Sequence, residues 1–228
     1  MSTTKVKFSS AFWTAKVAEM LERTAYYAIF VAITLYLSNI LGFNDIEASL
    51  ISGGFSALMY LLPIFSGAYA DKIGYRKSMI LAFTLMPIGY LFLGLLPYLF
   101  EGLGLVKYAD APEGAAALVA NLVTETQYYG LRESNLRWLI IPVLLILIVG
   151  GSFIRSIIRA SVARETTTEN RARGYSLFYM LVNIGAFSGK SIIDPLRGWI
   201  GERAYIYVNF ISVILCLLAL IMVILMYR

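Results

Sequence analysis

The residues most able to do chemistry in this chain form a charged cluster inside an otherwise apolar stretch. Glu19, Glu22 and Arg23 are spaced so that a helix would present them on one face. Counting about 1.5 Å per residue from Phe12 places Arg23 about 16 Å along that helix, near the middle of a hydrocarbon core about 30 Å thick. A charge at that depth costs about 2.5–3.5 kcal/mol. We favour a pocket whose carboxylates take up protons, and the alternative is a structural ion-pair cluster that locks helices together.

Polar side chains in later apolar stretches would complete such a pocket. Arg155 lies about 26 Å along a helix that enters near Trp138, which is a depth comparable to that of the two carboxylates. Asn183 would either line a pocket or hydrogen-bond to a neighbouring helix. Lys190, near the outer end of its helix, is expected to extend towards the membrane surface.

The sequence argues against a metal or redox centre. It contains no histidine and a single cysteine, Cys216, which lies in an apolar run and is expected to serve packing. A zinc site of histidine and cysteine needs three or four ligands, so one chain cannot build it. A membrane enzyme would need a nucleophile–base or metal set for which no histidine is available. We therefore expect no enzyme activity, no metal and no cofactor.

Composition places these residues in an integral membrane protein. Of the 228 residues, 59% are apolar and 14% are charged, whereas soluble domains carry about 25% charged residues. An ordinary soluble enzyme, a disordered chain and a coiled coil are excluded. The charge-poor runs predict an all-α integral membrane protein, a six-helix transmembrane bundle over residues 1–228, with spans at about 12–41, 48–70, 78–100, 138–159, 172–193 and 204–227 and a long outside connection at 101–137.

The connections between the spans alternate in charge. The N-terminal segment, in which Lys16 is the last of three lysines, and the 2–3 and 4–5 connections are basic, whereas the 1–2 connection carries Asp45 and Glu47 and no base. The positive-inside rule then places both termini in the cytoplasm, as in a bacterial inner membrane. The same pattern explains the net charge of +5 without a nucleic-acid partner. In the long outside connection, residues 115–123 are expected to form a short surface helix.

The turn between the second and third spans resembles the cytoplasmic signature of the major facilitator superfamily. It reads Gly67-Ala-Tyr-Ala-Asp-Lys-Ile-Gly-Tyr-Arg-Lys77. Its first glycine would allow close helix approach, and its aspartate would form a charge latch with the basic neighbours. The plainer alternative is positive-inside charge beside a glycine turn. The residues expected to gate the cytoplasmic surface are Gly67, Asp71, Lys72, Gly74, Arg76 and Lys77.

A second motif is more specific. The stretch Glu19-Met-Leu-Glu-Arg-Thr-Ala-Tyr-Tyr27 is similar to the signature E-x-x-E-R-F-x-Y-Y of the proton-coupled oligopeptide transporter family within that superfamily. Residues 60–67 resemble the second helix of that family, and residues 174–186 resemble its fifth-helix pattern F-Y-x-x-N-x-G. The resemblance runs from the first span to the sixth.

The resemblance implies proton-driven symport of di- and tripeptides by alternating access, with protons as the coupling ion. We expect Glu22 to pair with Arg155 when it is deprotonated and to release it when it is protonated. Matched position by position, the proton-coupling residues are Glu19, Glu22, Arg23 and Arg155, and the substrate-binding residues are Arg23, Tyr26, Tyr27, Tyr60, Arg155 and Asn183.

The family's pattern is not followed everywhere, which keeps alternatives open. Thr24 stands where the family has phenylalanine, Arg155 where it has lysine, and Lys190 is an additional base. The alternatives are a transporter of another small organic solute and a non-transporting membrane scaffold.

The length of the chain suits half of a transporter. Transporters of this superfamily have two six-helix halves with the site between them near the midplane. We therefore expect this chain to be the N-terminal half of a full-length transporter, rather than half of a split or dimeric one. Its expected partners are the lipid bilayer, a small peptide or related solute, and a C-terminal six-helix half.

Overall fold

The structure is a computed structural model that describes residues 8–108 and 130–227, so the helix predicted over residues 115–123 lies outside the described residues. The described parts of the chain are almost entirely helical. The helices are α1 Ser10–Leu35 with a π-helical continuation over Tyr36–Ile40, α2 Asp45–Leu61, α3 Pro63–Ile73, α4 Tyr75–Gly102, a 3-10 turn Asn135–Leu139, α5 Ile140–Arg164, α6 Arg171–Lys190, α7 Ile193–Ile200, a 3-10 turn Gly201–Arg203 and α8 Ala204–Met226.

Each of the six predicted segments coincides with helix, but the second is broken. At Leu62 the chain bends by 42° between α2 and α3. Pro63 begins α3, and a proline there removes a backbone donor and crowds the preceding turn, which ends α2. The short helix α7 was not predicted, because it falls in what the charge pattern showed only as the connection between the last two spans.

Length and hydropathy alone identify fewer membrane-crossing helices than the charge pattern predicted. Residues 75–102, 135–164 and 171–226 form three helical stretches that are long and apolar enough to cross a membrane, and the bent α2–α3 pair makes a fourth. Helix α1, which carries Lys16, Glu19, Glu22 and Arg23, is not among them. The division into six spans therefore stays a prediction.

Helix α1 is packed against neighbouring helices on two sides. It packs mainly against α6 and α8, while α4 packs against α5 and α8. The approach of α6 is close because Gly185 faces the α1 backbone, where an added Cβ would lie 2.5 Å from the Met20 carbonyl oxygen. On the other side, the Ser212 hydroxyl of α8 donates to the Ala25 carbonyl at 3.3 Å. The charges of α1 are thus held inside the bundle by close helix contacts on two sides.

Candidate functional site

The charged residues of α1 all lie inside the bundle. Glu22 is fully buried, and Glu19 and Arg23 are each 6% exposed. The prediction that one helix face carries these charges into an apolar interior is therefore confirmed by the geometry. Their role in transport stays a prediction.

Glu22 and Arg23 form the first buried ion pair. The Arg23 Nε lies 2.6 Å from Glu22 Oε2, and the Arg23 guanidinium lies 5.7 Å from the centre of the Tyr26 ring. Glu22 Oε1 has no hydrogen-bond partner in residues 8–108 and 130–227. Glu22 Oε2 and Arg23 Nε likewise make no hydrogen bond within the described residues, so the pair is held by charge and its buried carboxylate is incompletely hydrogen-bonded.

The second buried ion pair includes a residue that sequence reasoning misplaced. Lys16 was expected among the cytoplasmic N-terminal charges, but its side chain is fully buried. Its Nζ lies 3.5 Å from Glu19 Oε2, donates to the Ile158 carbonyl of α5 at 3.2 Å, and lies 4.6 Å from the centre of the Phe178 ring of α6. Its spacing could have indicated this position, since Lys16 stands three residues before Glu19 on the same helix face.

Arg155 joins the site through aromatic rings. Its guanidinium carbon lies 4.5 Å from the centre of the Tyr26 ring and 4.7 Å from that of Tyr60, which brings α5 together with α1 and α2. The first and fourth predicted spans, which are α1 and α5, therefore meet at this arginine, as expected from its depth. The ion pair that the structure gives Glu22 is the one with Arg23, so a Glu22–Arg155 pair stays a prediction for another state.

The rings of Tyr60, Tyr26 and Tyr27 form a row that leads from Arg155 to α6. Tyr26 and Tyr27 contact each other edge to face with 5.2 Å between ring centres, and the Lys190 ammonium lies 5.2 Å from the centre of the Tyr27 ring. Lys190 is exposed at the end of α6, and its extension towards the membrane surface stays a prediction. Asn183, one of the predicted substrate-binding residues, is exposed on α6, and its role stays a prediction.

The turn at the end of α3 has the glycine geometry that its motif predicts. Gly74 has a φ of +89°, a left-handed conformation that glycine adopts readily, and Tyr75 begins α4 directly after it. Gly67 faces α5, where an added Cβ would lie 3.4 Å from the Cβ of Ser156, an ordinary contact distance. The sharp turn is therefore present, whereas the space beside Gly67 does not require a glycine.

The latch predicted within this turn has other partners. Asp71 accepts a hydrogen bond from the Tyr75 hydroxyl at 2.9 Å. Arg76 donates from Nη2 to the Ile224 carbonyl near the end of α8 at 3.1 Å. The turn is thus fixed by a tyrosine and by the end of α8, rather than by a pair between Asp71 and its basic neighbours. Lys72 and Lys77 are exposed beside it.

Comparison with known proteins identifies the class. A family model described as Major Facilitator Superfamily matches residues 17–228, so the chain belongs to this superfamily of integral membrane transporters.

Individual relatives refine the placement. The chain is 26% identical over 212 residues to solute carrier family 15 member 2 of Mus musculus and 25% identical to the same protein of Homo sapiens, in each case over 90% of this chain and 25% of the relative. A solved structure of tetrameric PepTSo2 matches 98% of this chain and 41% of that chain at 20% identity with a TM-score of 0.71. These matches confirm the resemblance to the oligopeptide transporter family that the α1 motif predicted. The chain spans about a quarter of the length of the curated relatives.

Proposed function

We propose that the chain is one six-helix half of a proton-coupled symporter of di- and tripeptides that works by alternating access. The observation that carries the proposal is the contact between a buried ion pair and an aromatic surface, since Arg23 links Glu22 to the Tyr26 ring on which Arg155 also lies. Because Arg23 belongs to both sites, a proton bound at Glu22 and a solute bound near Tyr26 would lie close enough to influence each other. The similarity to solute carrier family 15 members and to PepTSo2 supports the same assignment.

The solute site is proposed at the row of rings. Arg155 presents a planar guanidinium to which a peptide carboxylate can bind with two hydrogen bonds. Tyr60 is 62% exposed beside it, and Asn183 is exposed on α6. Tyr27, which is partly exposed beside the buried Tyr26, would offer apolar surface to a peptide side chain.

The proton site is proposed at the cluster of Glu19, Glu22, Arg23 and Arg155. In this structure Glu22 is paired with Arg23. Protonation of Glu22 removes the charge that holds Arg23, so Arg23 becomes available to the solute at the Tyr26 ring. Deprotonation on the opposite side restores the pair and allows the empty site to return.

A second six-helix bundle is proposed to cover one face of this chain. Bulky apolar residues are exposed on α3 and α6, among them Phe65 at 72% and Phe187 at 74%. Tyr60, which contacts Arg155, belongs to the exposed residues of α2. Because the proposed solute residues share these helices, the facing bundle would close the cavity between the two halves.

The test is uptake by the complete transporter in proteoliposomes. This chain, joined to or co-expressed with its C-terminal half, is expected to accumulate dialanine above its equilibrium level under an inward proton gradient, and not without the gradient. The chain alone is expected to accumulate none. Failure of the complete transporter to move any peptide would contradict the proposal, and accumulation by the chain alone would show a homodimer instead.

A second candidate function rests on a specific observation. Arg155 and Lys190 place two cations at opposite ends of the Tyr26–Tyr27 row, which suits another small organic solute with two anionic groups. Competition distinguishes the candidates: neutral dipeptides are expected to inhibit dialanine uptake, whereas inhibition by dicarboxylates alone would favour the second.

The orientation is proposed as both termini in the cytoplasm. A cysteine at the exposed position Glu133 is expected to react with an impermeant maleimide in intact cells, whereas one at Lys72 is expected to react only after lysis. The native Cys216 is buried and gives a low background. The opposite labelling pattern would reverse the topology.

A further inference from the structure

Lys190 is a cation beside the proposed solute site to which the sequence motifs assign no role. It is the last residue of α6, it is exposed, and its Nζ lies 5.2 Å from the centre of the Tyr27 ring. No carboxylate in residues 8–108 and 130–227 forms an ion pair with it. An ammonium over a ring keeps N–H donors with which it can bind a carboxylate, because the ring attracts the charge from one side only.

The backbone that carries Lys190 is held against α1 by two glycines. Gly189 immediately precedes Lys190 and faces α1, as Gly185 does one turn earlier. An added Cβ at Gly189 would overlap the Thr24 carbonyl oxygen. Small residues four positions apart allow two helices to approach this closely. The end of α6 therefore lies beside the turn of α1 that presents Tyr27, and the packing of two helices sets the position of the cation.

Lys190 also lies on the exposed face of α6. Asn183, Phe187 and Lys190 are separated by four and three residues, which places them on one side of the helix, and all three are exposed. This is a face that the second six-helix bundle is proposed to cover. A cation enclosed between two halves is less screened by water than one on an open surface, so it would attract a carboxylate more strongly.

The distance from Lys190 to Arg155 suits a peptide with two carboxylates. The Arg155 guanidinium carbon lies 4.5 Å from the centre of the Tyr26 ring. The Tyr26 and Tyr27 ring centres are 5.2 Å apart, and a further 5.2 Å separates the Tyr27 ring from the Lys190 ammonium. These contacts keep the two cations within about 15 Å, which an extended dipeptide of about 3.3–3.6 Å per residue reaches once a side-chain carboxylate and a hydrogen bond at each end are added.

We propose that Lys190 is a specificity-determining residue that makes the transporter prefer dipeptides with an acidic first residue. The C-terminal carboxylate of such a peptide binds Arg155, and its side-chain carboxylate binds the Lys190 ammonium at the Tyr27 ring. A peptide with a cationic first residue is repelled at the same position. This inference rests on the proposed function and names a substrate class for it.

The first test compares two dipeptides of nearly the same shape that differ in charge. Aspartyl-alanine carries a side-chain carboxylate, and asparaginyl-alanine carries an amide in its place. Each is used to inhibit dialanine uptake by the complete parent transporter in proteoliposomes, at a mildly acidic external pH that leaves an aspartate side chain ionised. Aspartyl-alanine is expected to inhibit at a several-fold lower concentration. Equal inhibition, or stronger inhibition by asparaginyl-alanine, would overturn the proposal.

The second test changes the charge at Lys190. Lys190→Met removes the charge and is expected to abolish the preference for aspartyl-alanine, whereas Lys190→Arg keeps the charge and is expected to retain it. Lys190→Glu is expected to reverse the order, so that lysyl-alanine inhibits better than aspartyl-alanine. Lys107→Met, which removes an exposed lysine elsewhere in the chain, is the matched control and is expected to keep the preference of the parent. An unchanged preference in Lys190→Met would overturn the proposal and favour an anchor at the membrane surface.

The outcomes separate this inference from the proposed function. The preference is a ratio measured within each variant, so a general loss of transport does not imitate its loss. If a variant does not fold, the comparison of the two dipeptides in the parent decides. Dialanine uptake by a parent that shows no preference would contradict the inference and leave the proposed function intact. A complete parent transporter that moves no peptide would contradict the proposed function, and the inference with it.

Discussion

Two buried ion pairs lie one turn apart on α1, and they are built differently. Lys16–Glu19 is completed by groups from two other helices, the Ile158 carbonyl and the Phe178 ring. Glu22–Arg23 joins two neighbours in sequence, and Glu22 Oε1 has no hydrogen-bond partner in the described parts of the chain. The first pair thus ties α1 to two other helices, whereas the second lies within α1 and has the less complete set of hydrogen bonds.

Breaking the second pair from the arginine side has the largest expected effect. Arg23→Met leaves the fully buried Glu22 without its ionic partner, and removal of one partner of a buried pair costs about 3–5 kcal/mol. The unfolding midpoint in detergent should fall strongly. Arg23→Lys keeps the charge and should fall less. Equal losses in the two variants would show that packing, rather than charge, holds this position.

Moving α6 away from α1 disturbs both pairs at once with a smaller effect. Gly185→Ala places a Cβ 2.5 Å from the Met20 carbonyl oxygen and 2.9 Å from the Arg23 Cβ, and overpacking of this kind costs about 1–3 kcal/mol. Thermal unfolding measures it. Gly198→Ala, where nothing lies within 4 Å of an added Cβ, is the matched control and should melt like the parent. Equal melting of the two variants would contradict the close α1–α6 contact.

The smallest effect is expected from substitutions of Arg155, which contacts the tyrosine rings beside the second pair. Arg155→Lys keeps the charge over the Tyr26 and Tyr60 rings but loses the planar guanidinium, whereas Arg155→Met loses both. Cation–π contacts contribute about 0.5–2 kcal/mol. Peptide affinity in the complete transporter should therefore fall modestly for lysine and further for methionine. Equal affinity in both variants would remove Arg155 from the solute site.

Sequence spacing predicted the parts of this site that lie on one helix. Glu19, Glu22 and Arg23 follow helical periodicity, so their spacing alone indicates a shared face. Lys16 fits the same periodicity but was counted with the flanking lysines, because charge alone does not show where a helix enters the bundle. The break at Leu62 had a local signal in Pro63, although the charge pattern treated the span as continuous.

Contacts between helices could not be predicted in the same way. The depth of Arg155 indicated that it would reach α1, but its choice of tyrosine rings depends on how α5 packs against α1 and α2. The contact of Lys190 with Tyr27 likewise depends on the close approach of α6 that the glycines permit. Depth and periodicity constrain one helix at a time, whereas partners are decided by the packing of several.

The most direct test of the central claim is the uptake assay on Glu22→Gln in the complete transporter. Glutamine keeps the shape of a protonated glutamate but cannot release a proton, so the variant should exchange labelled for unlabelled peptide across proteoliposomes while failing to accumulate peptide under an inward proton gradient. Exchange without accumulation is the result that the account predicts. Accumulation equal to that of the parent would contradict it, and Glu19 would become the next candidate for the coupling carboxylate.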